Sequence, residues 1–595
     1  MKFNIFYLVA TVSIALFLTA GGCNSLDSKD DNGTIDNGTT TNNNITVDIS
    51  DQEYELPTVE GGNGSFTITA DLGSTPVDYL LMFTNTGLDL GNSPLQVSSQ
   101  QPSEFNQQEF QSDSLEHILE DLDSQISGAQ TLTDYAREQG IGIRGIPEAT
   151  KFNANPPPFG KKMPFPSRSV AYETPQYSTY TVHDTTHDFY YNTSDTIKAT
   201  VRYSQVIDSV QLNIWVANNA YTGCSKAACM TSDQVSAFAG KFLQEGADND
   251  IYDWVVNIFG APWGSHSNSK LIDATADSKI DILFFDIGSD NSTTGGVLGY
   301  FWAKDNHKES DGSNERLIFY MDSVLAAQKE GGSWDISDPW PAEIVSTLAH
   351  EFQHMIHFYQ KTVLRTTDSE SWLNEMCSMV AEDFLADKML VNGPRGVDYN
   401  DGSAGAASNN KGRLPRYVYY PNYKFIEWPK DDIANILKSY AISYSFGAYL
   451  ARNFGGAPFF RDLVHNEYGD HRAVTQALRA RGYSGENFTT ALRKWGVAAY
   501  LSYKTDTPEG YRYNKGGYFI STIGSITYHL GSINMHNYCF DSKCGIKTWT
   551  PGQLSGLTTQ YGTSNVFVLV GEDVTGTQTH TVSMQAGVKV AAIKK

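Results

Sequence analysis

The chain has 595 residues, 40% hydrophobic and 12% aromatic, with a formal net charge of −24. This length and apolar content allow roughly two to four domains with a sizeable core, and the acidic balance argues against a nucleic-acid partner. Plentiful Tyr, Phe and Gly, with many Ser, Thr and Asn, suit β-structure and turns.

At the N-terminus, Lys2 precedes an apolar run from Ile5 to Leu18, then Ala20, Gly21, Gly22 and Cys23. The run is too short for a membrane span. Small residues before a cysteine resemble a bacterial lipobox, with Ala20 where Leu is more usual. Residues 1–23 are therefore expected to be a lipoprotein signal peptide, with Cys23 the lipidation site; an ordinary cleaved signal is the alternative. Two acyl chains would hold the product stably on a bacterial membrane, at the outer membrane or the cell surface. Residues 24–48 are Asn, Thr, Asp and Gly with almost no apolar side chains, so they are expected to form a disordered tether. Residues 49–98 alternate, as in Ser65-Phe66-Thr67-Ile68-Thr69, and read as a small β-module.

Residues 99–168 change character. Ser114 to Gln139 reads as helical, with Leu115, Ile118, Leu119, Leu122 and Ile126 on one face, and Pro156-Pro157-Pro158 follows. Composition leaves two readings open for this stretch, a linker and an inhibitory pro-segment. Residues 169–225 return to strand runs, Ile197 to Tyr203 and Val210 to Val216. Within residues 226–505, Ser232 to Ile258 reads as helical. Strand runs follow at Ile280 to Asp286, Gly296 to Trp302 and Leu317 to Met321, and helices dominate from Pro341. The run from Gly296 is expected to be an exposed edge strand able to pair with an extended peptide. Residues 506–595 read as a C-terminal β-rich module.

With Cys23 set aside, Cys224 and Cys229 lie close in sequence, as do Cys539 and Cys544. Export favours oxidation, so these four are expected to form two bridges; local pairing is the working choice among three connectivities. A four-thiolate zinc site is the alternative. Cys377 is left as a buried free thiol.

The chemistry concentrates in a helix opened by Pro341, with Asp338 as cap. Ile344, Val345, Leu348, Phe352, Met355 and Ile356 form an apolar arc, and His350 and His354 fall opposite it, one turn apart. Imidazoles at i and i+4 can grip one zinc ion, and Glu351 beside them can act as a base without being a ligand. The metzincin extension fails, because His357 and Gln360 stand where Gly and His are required. Downstream, Asp368-Ser369 caps a helix with the apolar stripe Leu373, Met376, Cys377, Val380 and Phe384. Glu375 and Glu382 project from its other side. On the residues alone, the third ligand is Glu375 or Glu382.

Trp372-Leu373-Asn374-Glu375, downstream of HExxH, is similar to the gluzincin pattern of thermolysin-like and aminopeptidase-like enzymes. The block Ala349-His350-Glu351-Phe352-Gln353-His354-Met355 together with it resembles the hyicolysin family of secreted bacterial metallopeptidases, over about residues 230 to 500. The resemblance implies Glu375 as third ligand and an α+β fold: a gluzincin-like peptidase domain with a mixed-sheet part and a helical part, flanked here by small β-rich modules. Thermolysin-like enzymes carry Asp four residues after the ligand Glu; Met379 stands there, so Ser378 or Glu382 must support the histidines instead. Tyr444-Ser445-Phe446-Gly447-Ala448 is similar to an aminopeptidase motif whose tyrosine stabilises the oxyanion, which implies that role for Tyr444, with Tyr440 as runner-up.

The expected activity is zinc-dependent endopeptidase action on extracellular or surface proteins, with one zinc ion, Glu351 as general base and a monomeric, membrane-anchored chain. Nothing in the sequence indicates calcium. A surface adhesin or binding lipoprotein on a peptidase scaffold is the competing function.

Overall fold

A computed structural model describes residues 44–57, 64–88, 96–99, 132–157, 177–275, 279–308, 310–397, 412–429, 433–554 and 561–595. The expected signal peptide with Cys23, most of the tether, and the apolar positions Leu115 to Ile126 lie outside these residues. Among the described residues, no helix is long and apolar enough to cross a membrane.

Strands from the two ends of the chain build one β-sandwich. One sheet runs β1 (Asn44–Asp48), β3 (Gly64–Asp71), β18 (Thr577–Met584) and β5 (Gln96–Ser99). The other runs β17 (Asn565–Val574), β4 (Val77–Asn85), β19 (Val588–Lys594) and β2 (Tyr54–Glu55). Phe66 and Ile68 from the first sheet share a buried core with Leu81, Phe83, Val568 and Val590 from the second. The side-chain alternation of β4 explains its central place. Tyr79, Leu81 and Phe83 enter the sandwich core, while Leu80 and Met82 enter the main core of the molecule. The two end modules expected from sequence are thus interleaved rather than separate, Val566 pairing with Phe83 and Val582 with Phe66.

The main body holds a seven-stranded mixed sheet in the order β6 (Gly142–Arg144), β11 (Gly296–Phe301), β12 (Ile318–Asp322), β10 (Lys279–Phe285), β9 (Val210–Ala217), β8 (Thr196–Ile207), β7 (Thr186–Tyr190). β9, β10 and β12 are parallel neighbours. They are buried almost throughout, as parallel strands covered on both faces must be. This sheet crosses the boundary expected at residues 225–226 and draws in a strand from the stretch 99–168.

Helices α1 (Leu132–Gln139) and α2 (Pro147–Ala154) flank β6, and α3 (Ser232–Phe242) and α4 (Ile251–Phe259) follow β9. The single helical run expected from Ser232 breaks because Asp250 caps a new helix, accepting from the Asp253 amide. The helical part comprises α5 (Pro339–His357), α6 (Ser371–Met389), α7 (Ile433–Asn453), α8 (Ala457–His465), α9 (His471–Ala480) and α10 (Phe488–Tyr500). Two hairpins, β13 (Phe519–Ile523) with β14 (Ile526–Leu530) and β15 (Cys539–Phe540) with β16 (Lys543–Cys544), lead back to the sandwich. Mixed sheets and a large helical part make the fold α+β. The bridges are local, Cys224–Cys229 and Cys539–Cys544, and Cys377 is a buried free thiol.

Candidate metal centre

α5 packs against β11, β12, α4 and α6. Every residue from Ile344 to His357 is buried, the histidine side as well as the apolar arc. Its polar side faces polar groups of neighbouring elements instead of water. Buried polar atoms must find partners, and here they converge.

Nε2 of His350 and Nε2 of His354 stand 3.1 Å apart. Oε2 of Glu375, from α6, lies 3.3 Å from the first and 3.5 Å from the second, with no hydrogen bond of its own. Two donors at about 2.0–2.1 Å from a tetrahedral ion are separated by about 3.3 Å. All three separations fall near that value, so the trio fits a single zinc-sized cation. His350, His354 and Glu375 are also the one group of this kind among the described residues, with donor atoms within 4.8 Å of one another.

The far side of each ring is fixed. Nδ1 of His350 lies 2.7 Å from Oε1 of Glu382. A carboxylate can only accept, so Nδ1 carries the proton and Nε2 presents its lone pair inward. Nδ1 of His354 is 2.9 Å from Oδ1 of Asn374 and 3.0 Å from Oγ of Ser378, with the same consequence. Glu382 is itself held by the Ser346 hydroxyl at 2.6 Å and by Arg144 at 2.8 Å. The two groups expected as alternatives for histidine support, Ser378 and Glu382, therefore each contact a different histidine. Arg144, Ser346 and Asn374 were not singled out from sequence. Arg144 reaches Glu343 from 199 positions upstream and leaves no local signal, whereas Asn374 was visible as the neighbour of Glu375.

Burial opposes charge throughout the centre, yet charge persists where partners offset it. Burial works against the Glu375 carboxylate, but the two imidazoles hold it down to about 2. Burial likewise works against imidazolium at His354, but Glu375 raises it to about 9. Metal-free, the trio thus retains a proton that a divalent cation would displace. Glu351 differs: it is fully buried, neither carboxylate oxygen has a hydrogen-bond partner, and burial raises its pKa. An unpartnered buried carboxylate beside a donor trio is poised to exchange a proton.

The two tyrosines of α7 divide. Tyr440 lies within electrostatic reach of Glu375 and Glu351, and its hydroxyl donates to the Arg144 carbonyl at 2.5 Å. Tyr444, one turn on, faces Asp383 and Arg452 instead, and its buried hydroxyl has no hydrogen-bond partner. Tyr444, expected to serve the site, thus lies in the region of the buried Asp383–Arg452 ion pair, and the runner-up Tyr440 is the one within reach of the site's carboxylates.

Residues 192–593 match the family described as Peptidase M30. The chain belongs to the peptidase M30 family. α5, α6 and α7 lie inside the M30 match, whereas β6 and α2 lie upstream of it. This M30 chain is similar to the neutral metalloprotease ShpI of Staphylococcus hyicus, 27% identical over 293 residues, or 47% of this chain and 56% of that protein. The chain thus spans about half the length of that curated relative. The family match at 192–593 extends beyond the region of about 230 to 500 over which the hyicolysin resemblance was drawn.

Proposed function

We propose that this protein is a zinc-dependent endopeptidase of gluzincin type. The observation that carries the reading is the convergence of His350, His354 and Glu375 on one cation-sized point, with the unpartnered Glu351 carboxylate beside it. The donor set, two neutral imidazoles and one carboxylate, suits zinc and leaves room for a further ligand. When bound there, zinc supplies a Lewis acid that activates water and polarises the scissile carbonyl.

The chain's own residues do the rest. Glu382 and the pair Asn374 and Ser378 keep each Nδ1 protonated, so both Nε2 lone pairs point inward. Glu351 takes a proton from the attacking water and passes it to the leaving amine; burial raises its pKa, which strengthens it as a base. The hydroxyl of Tyr440 donates to the oxyanion that forms at the carbonyl. The same reading takes Cys23 as a lipid anchor and extracellular proteins as substrates.

The test is casein or peptide hydrolysis by the zinc-loaded chain beside Glu351→Gln. The variant should keep its zinc and lose roughly 10²- to 10⁴-fold in kcat. A variant within a few-fold of the wild type would remove the peptidase mechanism.

A further inference from the structure

The outer edge of β11 is not free, contrary to expectation. β6 pairs with it in parallel, Gly142 opposite Gly296 and Val297 opposite Ile143. The Gly145 amide continues the ladder, donating to the Gly299 carbonyl at 2.8 Å. Gly145 has φ +87°, a conformation that suits glycine, and there the chain turns from β6 toward α2. The side chain of Asn153 in α2 then bonds the carbonyl of the last residue of β11 and an amide two residues beyond it. Its amide nitrogen donates to the Phe301 carbonyl at 2.8 Å, and its oxygen accepts from the Ala303 amide at 2.8 Å.

These are backbone groups that an extended peptide lying along β11 would use. The segment also reaches the chemistry. The Arg144 carbonyl accepts from the Tyr440 hydroxyl. Gly145, Thr150 and Asn153 form one wall of the narrow cavity whose other wall includes Glu351, His354 and Glu375. The whole segment lies upstream of the family match at 192–593.

We propose that residues 145–154 are a self-docked occupant of the substrate cleft, hinged at Gly145 so that β6 and Arg144 stay in place, and that the enzyme is autoinhibited until this segment is displaced. The proposal rests on the peptidase reading. The Gly145 amide on the Gly299 carbonyl, the paired bonds of Asn153 and the carbonyl on Tyr440 together imitate a bound peptide. Tethering makes the occupancy intramolecular, so substrate competes with a ligand at high effective concentration. The observed KM then equals the intrinsic value divided by the open fraction, and kcat at saturation is untouched.

The experiment uses the full zinc-loaded chain, with Asn153→Ala and Asn153→Asp compared against wild type on a quenched fluorescent peptide. Loss of the paired bonds should enlarge the open fraction and lower KM about tenfold with kcat unchanged. Amide hydrogen exchange at Gly145 and Ala303 should quicken in the same variants, while β10 stays protected. An unchanged or raised KM in both variants overturns the proposal, as does a fall in kcat, which would make the segment part of the working site. Glu351→Gln is run alongside. If the wild type shows no hydrolysis that this variant abolishes, the peptidase reading fails by itself. The exchange data then still decide the seating, since unprotected Gly145 and Ala303 amides in the wild type would overturn it.

Discussion

The metal centre and the terminal sandwich are assembled in opposite ways. In the centre, the contacts behind the two imidazoles are short-range, His354 meeting Asn374 20 positions on and His350 meeting Glu382 32 positions on, with Arg144 the distant addition. Two successive helices, α5 and α6, carry all three of His350, His354 and Glu375. In the sandwich, Thr84 bonds Asn565 across 481 positions, and each sheet mixes strands from both ends of the chain. Closing so long a loop costs about 3 kcal/mol more than closing one of about 20 residues, because the entropy grows only as the logarithm of length, and the buried apolar core of the sandwich offsets it. What joins the two regions is the sheet β17-β4-β19-β2, whose strands put alternate side chains into the sandwich core and the main core. Phe567, Ala591 and Ile593 face the main core beside Leu80 and Met82, so the sandwich rests on the peptidase body through a dry seam.

The sharpest way to break this picture is to empty the sandwich core. Phe83 is fully buried there. Phe83→Ala should destabilise by about 3–5 kcal/mol, the transfer loss plus an unfilled cavity. Residues 43–595 behave as one compact unit, so calorimetry should show a single transition at lower temperature. Peptide hydrolysis per folded molecule at 25 °C should be unchanged. A separate early transition would show that the sandwich unfolds alone and that the seam carries little.

A milder probe of the same region uses pH. His580 is buried on the inner face of β18 with neither ring nitrogen bonded, its ring 5.6 Å from that of Tyr79. Burial disfavours the imidazolium and lowers its pKa from 6.5 to about 4. Between those values the unfolded chain binds more protons than the folded one, so stability rises with pH across that window and is lost as pH falls through it. The full loss is about 3 kcal/mol, complete near pH 4. Thermal midpoints measured from pH 7 to pH 4 should fall less steeply in His580→Phe than in wild type. Superimposable profiles would assign the acid sensitivity elsewhere.

The legibility of the sequence followed the same division. His350, Glu351 and His354 were readable because a helix fixes i and i+4 on one side, whatever surrounds it. Glu375 followed from the Asn-Glu resemblance, while the residues alone left it level with Glu382. The structure separates the two, Glu375 facing both imidazole Nε2 atoms and Glu382 the back of one ring. The runs that became β8, β9, β10 and β12 were also visible, since they are long and apolar or alternating. Pairing was not. Nothing in Phe83 or Phe66 names Val566 or Val582, because period-2 alternation tells which face is buried and not which strand lies beside it. The cover on β11 was invisible for the same reason: Gly142-Ile143-Arg144 is too short to show a period. Burial of α5 from Ile344 to His357 on every side was not legible either, since a wheel separates the histidines from the apolar arc without telling what covers them.

The smallest expected effect tests the finest distinction, between two tyrosines one turn apart on the same helix. Sequence similarity favoured Tyr444; the structure sets Tyr440 beside Glu351 and Glu375, and Tyr444 beside Asp383 and Arg452. Tyr440→Phe deletes one oxyanion donor and should lower kcat about 10²-fold; it also releases the Arg144 carbonyl, so KM should fall rather than rise. Tyr444→Phe removes a hydroxyl that has no hydrogen-bond partner, so kcat should stay within about twofold and the thermal midpoint should not fall, since an unsatisfied buried group is lost. The pair separates position from motif. A large kcat loss in Tyr444→Phe with none in Tyr440→Phe would require α7 to shift by a turn in the working enzyme. Equal losses would mean that the helix, rather than either hydroxyl, sets the rate. The expected asymmetry places the oxyanion donor in the tyrosine whose hydroxyl now donates to the Arg144 carbonyl.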